Sequence, residues 1–365
     1  MNESTTGFDP LRLADSITEE QIIAGWRGEV NSPAVSIVCH TYNHAAYLVD
    51  AIEGFLSQRA AFPFEILIHD DASTDTTTEI IERYASRFPT IISTILQKDN
   101  QFSQGHRPPK FTFPRARGRY IALCEGDDYW IDPLKLAKQV ALLENHPSVN
   151  LCVHPANRVD LNTGMHSVLG DHGKFIAIKD VADVIEGDKH YAPTASYVMR
   201  TEAAMDMPRW FFDDPLPYGD FFIEAILGRK GILFIPDVMS VYRLGVQGSH
   251  SARAGNRTLA QMFADYRALV AAVNNLRASG ELPDASIEIK LWRIRSEYAR
   301  LFLKKRAYKE YSIAAPTLRG DADYFRFFAV RLAALSRPGF AAVYCCGRVL
   351  AGYRSARALA FKSAK

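Results

Sequence analysis

Over residues 34–154 the chain alternates short apolar, β-branched runs with helical patterns, and this alternation restricts its fold more than any other feature. Residues 34–39 (AVSIVC) read as a buried strand. Residues 45–58, with Tyr47, Leu48, Ile52, Phe55 and Leu56 at helical spacing, read as a helix. Further strands are expected at 64–68, 91–96, 119–124 and 150–154. The helices between them are expected at 76–87, where Ser73, Thr74 and Asp75 supply capping oxygens, and at 133–145, opened by Pro133. Strands separated by helices of roughly 10 to 15 residues make βαβ units, so the expected class is α/β, a Rossmann-like and mainly parallel central sheet flanked by helices. Right-handed crossovers bring the carboxyl ends of such strands to one edge, where ligands bind. Three polar clusters directly follow strands: His40-Thr41-Tyr42-Asn43, His69-Asp70-Asp71 and Glu125-Gly126-Asp127-Asp128.

The flanks differ in character. Residues 1–32 read as a helical lead-in, with Asp15 or Ser16 as cap and Asn31-Ser32-Pro33 as breaker. The α/β pattern is assigned to 33–254; within it, 155–250 is less regular, with strands expected at 196–200 and 232–235 and a helix at 220–228. Residues 255–365 form a C-terminal helical extension. From Arg257 onward there are 20 Lys+Arg against 8 Asp+Glu, and after Asp323 eight basic residues and no acidic one, although the whole chain carries only +2. The overall balance argues against nucleic acid, while the basic tail is expected to meet an anionic membrane surface or to pack on protein. No run of 18 apolar residues occurs, so nothing is expected to span a bilayer. Five cysteines without a CxxC, three of them in apolar runs, read as buried free thiols in a reducing compartment. With no signal peptide visible, the expected location is cytoplasmic, peripheral at the inner face of the cytoplasmic membrane.

The paired acids carry the chemistry. Asp127-Asp128 at a loop tip can hold Mg²⁺ or Mn²⁺ whose other ligands are phosphate and water, or can simply cap the following helix. Asp70-Asp71 is open to the same two readings, a cap or a nucleobase contact. The loop 100–117, with His106, Arg107, Lys110, Arg115 and Arg117, reads as a basic rim over a pyrophosphate or as a solvated loop. Trp130 could stack on a sugar or anchor the next helix. No GxGxxG, P-loop, HExxH or GxSxG signature is present.

Taken together, AVSIVCHTYNHAAYL, FPFEILIHDDASTDTT and RGRYIALCEGDDYWIDPLKL, with Tyr218-Gly219-Asp220 and Val241-Tyr242-Arg243 later, resemble the family 2 glycosyltransferases of GT-A fold, in particular bacterial polysaccharide-assembly members. The resemblance implies an inverting transfer from a nucleotide sugar, expected to be a UDP-sugar, to a glycan or polyprenyl-linked acceptor. It implies nucleotide contacts from Thr41, Tyr42, Asn43, Asp71, Asp127 and Arg243, a metal on Asp128, and Asp220 as general base. The family's Tyr-Arg-x-His and Gly-x-Trp-Ser runs are altered here, with Gly245 in place of the His and His250 in place of the Trp. The competing readings are a nucleotidyltransferase, against which the lack of a Gly-rich basic loop after the first strand counts, and a non-catalytic nucleotide-sugar or glycan-binding protein.

Overall fold

The computed structural model describes residues 17–187, 191–246 and 257–315. Asp15 and Ser16, His250, Cys345-Cys346 and the basic tail after Asp323 lie outside these residues. The chain divides into two compact units, Met1–Gly255 and Asn256–Lys365.

The first unit is built on an eight-stranded sheet. Its strands in chain order are β1 (Val35–Thr41), β2 (Phe64–Asp70), β3 (Ile92–Leu96) and β4 (Tyr120–Glu125), while β5 (Tyr129–Trp130) belongs to a second sheet. After β6 (Leu151–Val153) come β7 (Ala156–Asp160), β8 (His166–Leu169), β9 (Ala177–Lys179), β10 (Val198–Arg200), β11 (Ile232–Phe234) and β12 (Ser240–Leu244). The large sheet runs β3-β2-β1-β4-β10-β6-β11-β9, and the small one β5-β12-β7-β8. In the large sheet β1, β2, β3 and β4 are mutually parallel, so Thr41, Asp70 and Glu125 end on one edge. The sheet is α/β and mainly parallel as expected, with two departures: β10 runs antiparallel between β4 and β6, and the edge strand β9 runs antiparallel to β11. The run 196–200 is accordingly split, Thr194–Ser196 forming a 3-10 turn and only Val198–Arg200 a strand.

The helices lie near their expected places, at Leu48–Leu56, Thr77–Arg87, Lys135–Asn145 and Asp220–Leu227. Helix Leu48–Leu56 buries Leu48, Ala51, Ile52 and Phe55 against the sheet residues Val35, Ile37, Ile66 and Ile68, forming one core. The lead-in helix Glu19–Ala24 is capped by Thr18 in a capping box with Gln21, not by Asp15 or Ser16. Cys39, Cys124 and Cys152 are free and buried in the sheet.

In the second unit, helix Leu259–Ala278 starts on a Thr258–Gln261 capping box, and Asp284–Lys304 and Tyr308–Ala314 follow it. Tyr266, Tyr298 and Phe302 meet in its interior. Arg277 reaches across the turn to Asp284 and Glu288. Among the described residues, no helix is long and apolar enough to cross a membrane.

Candidate active site at the carboxyl edge of the sheet

The turn after β1 is fastened to the loop after β2. Thr41 is buried, and its carbonyl accepts the Asp71 N–H at 3.0 Å. Asn43 sits at φ 56°, in the left-handed region that asparagine tolerates better than most residues. Its N–H donates to Ser73 Oγ at 2.8 Å, and its Oδ1 accepts from the Thr74 N–H at 2.7 Å. The Asp70 carboxylate accepts from the hydroxyls of Ser73 and Thr78, so it serves its own turn.

Asp71 serves a different loop. Its Oδ1 accepts the Gln101 N–H at 2.7 Å and its Oδ2 the Phe102 N–H at 3.0 Å, while its carbonyl accepts from Asn100 Nδ2. The side chain expected to meet a nucleobase therefore already stations the 100–102 loop. A carboxylate oxygen has two acceptor directions, so each keeps one beyond its loop bond.

The acid turn after β4 packs onto the β1 turn at Gly126. A Cβ there would lie 2.8 Å from Thr41 Oγ1, which is why this position is glycine. Asp127 Oδ2 lies 3.8 Å from His44 Nε2. Asp128 is 1% exposed; its Oδ1 accepts the Arg243 N–H at 2.9 Å, but its Oδ2 has no hydrogen-bond partner.

Arg243 is a strut. Its Nη1 donates to the Asp127 carbonyl at 2.9 Å, its Nη2 pairs with Asp50, and its guanidinium lies 4.3 Å from the centre of the Tyr129 ring. The guanidinium expected to steady a diphosphate is thus engaged within the protein, where it holds the Asp127-Asp128 turn.

Burial, then the Asp127 and Glu125 charges, push the Asp128 carboxyl well above the usual carboxylate range. Desolvation, then Asp127 and Asp220, push Glu125 up to about 8. Glu125 is nevertheless solvent-accessible, and accessibility combined with crowding by protein atoms is what lining a concavity produces. Asp220 opens helix Asp220–Leu227, with its Oδ1 accepting the Phe221 N–H at 2.9 Å. It acts electrostatically on Glu125 and on Arg107, so the structure brings Glu125, Asp127, Asp128 and Asp220 into one acidic neighbourhood.

A buried carboxylate oxygen without a donor, next to further carboxylates, fits a hard divalent cation. No group of three His, Cys, Asp or Glu among the described residues could hold one alone, so its other ligands would come from substrate phosphate and water.

Two readings left open by the sequence are narrowed here. Trp130 is 3% exposed, with its Nε1 donating to the Ala195 carbonyl at 2.8 Å and its ring edge-on to Phe55, so it is a core anchor and no sugar platform. Nor is the 100–117 loop a free basic rim. Lys110 pairs with Asp213 and Arg117 with Glu65, and Arg107 is buried. Asp50 was missed because it sits among apolar helix positions with no local signal. Arg107 reads in the sequence only as one of the loop's basic residues, because its partner Phe211 lies 104 residues away.

Comparison with known proteins finds likenesses that include this edge. Residues 36–206 match the family model described as glycosyl transferase family 2. That span includes Thr41, Tyr42, Asn43, Asp71, Asp127 and Asp128 but ends before Asp220 and Arg243. Uncharacterized proteins of Mycobacterium tuberculosis and Mycobacterium bovis are 37% identical over 225 residues, covering 61% of this chain and 62% of theirs. The poly(ribitol-phosphate) β-N-acetylglucosaminyltransferase TarS of Staphylococcus aureus is 28% identical over 227 residues, covering 60% of this chain and 37% of that protein. The crystal structure of TarS residues 1–349 in complex with UDP-GlcNAc superimposes with a TM-score of 0.61 at 16% identity, covering 85% of this chain and 89% of that one. The fold is that of the GT-A glycosyltransferases.

Proposed function

We propose that the protein is an inverting glycosyltransferase, from the match of residues 36–206 to the glycosyl transferase family 2 model. It moves a sugar from a nucleotide sugar, taken to be a UDP-sugar, to a hydroxyl of a glycan or polyprenyl-linked acceptor in cell-surface polysaccharide assembly. The observation that carries the reading is the orphaned, buried Asp128 Oδ2 within the Glu125, Asp127, Asp128 and Asp220 neighbourhood, at the carboxyl edge of a family 2 domain. The binding of UDP-GlcNAc and UDP by TarS, whose fold this chain shares, favours a uridine nucleotide.

In the reaction, the acceptor oxygen bonds to the anomeric carbon as the bond from that carbon to the diphosphate oxygen breaks, its electron pair leaving with the nucleoside diphosphate. The hydroxyl proton passes to the Asp220 carboxylate. That residue starts the helix Asp220–Leu227. Thr41, Tyr42 and Asn43 hold the nucleoside, with Tyr42 against the base, and Asp71 contributes both its remaining acceptor directions and the loop it stations. Asp127 lies toward the ribose, and Arg243 acts on the nucleotide through the turn it holds. Mg²⁺ or Mn²⁺ held through Asp128 would neutralise the charge that builds on the departing diphosphate. Residues 33–254 form the catalytic domain. The basic region 255–365 serves an anionic membrane surface, where each Lys or Arg near the lipid adds roughly 1 kcal/mol.

Calorimetry with a panel of nucleoside diphosphates and nucleotide sugars, in Mn²⁺ and then in EDTA, tests the donor site. Metal-dependent binding of UDP, weakened in Asp128→Asn, is expected; folded protein that binds no nucleotide would remove the reaction. Release of a nucleoside diphosphate separates this reading from a nucleotidyltransferase, which releases pyrophosphate, and from a binding protein, which turns nothing over.

A further inference from the structure

Outside the groups used so far, one buried cation reaches the same neighbourhood. Arg107 comes from the loop between β3 and β4 and is only 7% exposed. Its Nη1 donates to the Phe211 carbonyl at 2.8 Å, and its Cζ lies 4.0 Å from the centre of the Phe211 ring. The Lys110–Asp213 ion pair, 2.8 Å long, ties this loop a second time to helix Arg209–Asp213. The guanidinium is therefore pinned by one residue through both its carbonyl and its ring.

Its other side lies against residue 219. A Cβ built on Gly219 would fall 2.0 Å from Arg107 Nη2 and 2.9 Å from Cζ. Gly219 has φ −114° and ψ −25°, which any L-residue adopts, so no backbone requirement explains a glycine there. The space does explain it: the guanidinium fills the volume a side chain would take. The residue next to that contact is Asp220.

We propose that Arg107 is a positioning residue for Asp220, its guanidinium lodged in the side-chain space left open at Gly219 so that it faces the carboxylate at the helix start. The inference rests on Asp220 being the general base. Among the described titratable groups that feel the charge of that carboxylate are Glu125 at the end of β4 and the Tyr197 phenol. Neither supplies a positive charge; Arg107 does. Burial brings Arg107 down to about 10, with Asp220 opposing the shift, so it stays charged at neutral pH. A fixed cation beside the base offsets the repulsion from Glu125 and holds the oxygen that takes the acceptor's proton at one place.

The test is a double-mutant cycle on full-length protein, read as nucleoside diphosphate release from whichever member of a nucleotide-sugar panel the wild type hydrolyses fastest, with UDP affinity measured alongside. Gly219→Ala and Arg107→Ala should each lower kcat about 100-fold, the order expected when a catalytic group is misplaced by about 1 Å. Donor KM and UDP affinity should stay within about twofold, which also reports a folded protein. Combining the two should cost no more than Arg107→Ala alone, because the new methyl then meets empty space. Arg107→Lys, which keeps a charge but loses the fork, should fall between wild type and Arg107→Ala. Asp220→Asn is run beside them. If Asp220→Asn retains turnover, or the wild type hydrolyses no donor, the base assignment falls and the inference with it. If Asp220→Asn is dead while Gly219→Ala and Arg107→Ala keep wild-type kcat, or their losses simply multiply, the inference alone is overturned.

Discussion

Asp71 separates two ways in which an acid at a strand end can serve a binding site. In Asp71→Asn the shape is kept, but one acceptor oxygen becomes an amide donor facing a backbone N–H of Gln101 or Phe102. Those bonds are 2.7 and 3.0 Å long, and Asp71 is 3% exposed. Losing one hydrogen bond to a charged acceptor costs about 1.5–3 kcal/mol, and the N–H left without a partner adds to that, so about 2–4 kcal/mol is expected. For a unit of this size that lowers Tm by roughly 5–15 °C. Thermal and urea unfolding of the variant measure the loss, and hydrogen exchange at the Gln101 and Phe102 amides should speed up together with it. If Asp71→Asn were as stable as wild type, within about 0.5 kcal/mol, with unchanged loop exchange and only weaker UDP binding, the loop-anchor reasoning would be refuted.

Other outcomes follow from buried groups. Lys135 is fully buried, its Nζ has no hydrogen-bond partner, it lies 4.0 Å from the centre of the Trp130 ring, and burial brings it down to about 7. Below pH 7 the folded protein holds this charge at a cost, and as pH rises from about 7 to about 10.5 the unfolded chain keeps a proton the folded one has released, so the cost fades; Lys135→Met should therefore stabilise by about 2–4 kcal/mol at pH 6–7 in urea unfolding, with a gain that shrinks toward pH 10. Cys39, Cys124 and Cys152 are buried thiols pushed up by desolvation, Cys152 to about 12, so an aromatic disulfide reagent should leave all three unmodified in native protein and modify them on unfolding.

The parts of the fold legible in the sequence are those whose signal is local. β1, β2 and β4 are buried on both faces and read as continuous apolar runs, and the polar clusters begin where those runs stop. The small sheet was illegible for the opposite reason. β5 is two residues long, β7 fully buries only its first residue and β8 exposes three of four, so neither periodicity nor apolar length marks them. The antiparallel β10 follows from pairings with β4 and β6 that span dozens of residues. In the site, Asp127 and Asp128 announce themselves as a pair, whereas the Arg243 strut depends on Asp50, 193 residues away. Arg107 sits in a loop whose composition reads as solvated; only the glycine at 219, which its backbone angles do not require, hints at a side chain packed against it.

The central claim is that Asp220 takes the acceptor's proton while the nucleotide is held by other residues. The most direct measurement is Asp220→Asn compared with wild type for both UDP affinity and nucleoside diphosphate release from the best donor. The account predicts UDP affinity within about twofold of wild type and turnover lower by about 10²–10⁴-fold, the range that general base catalysis contributes. Wild-type turnover in Asp220→Asn would contradict it.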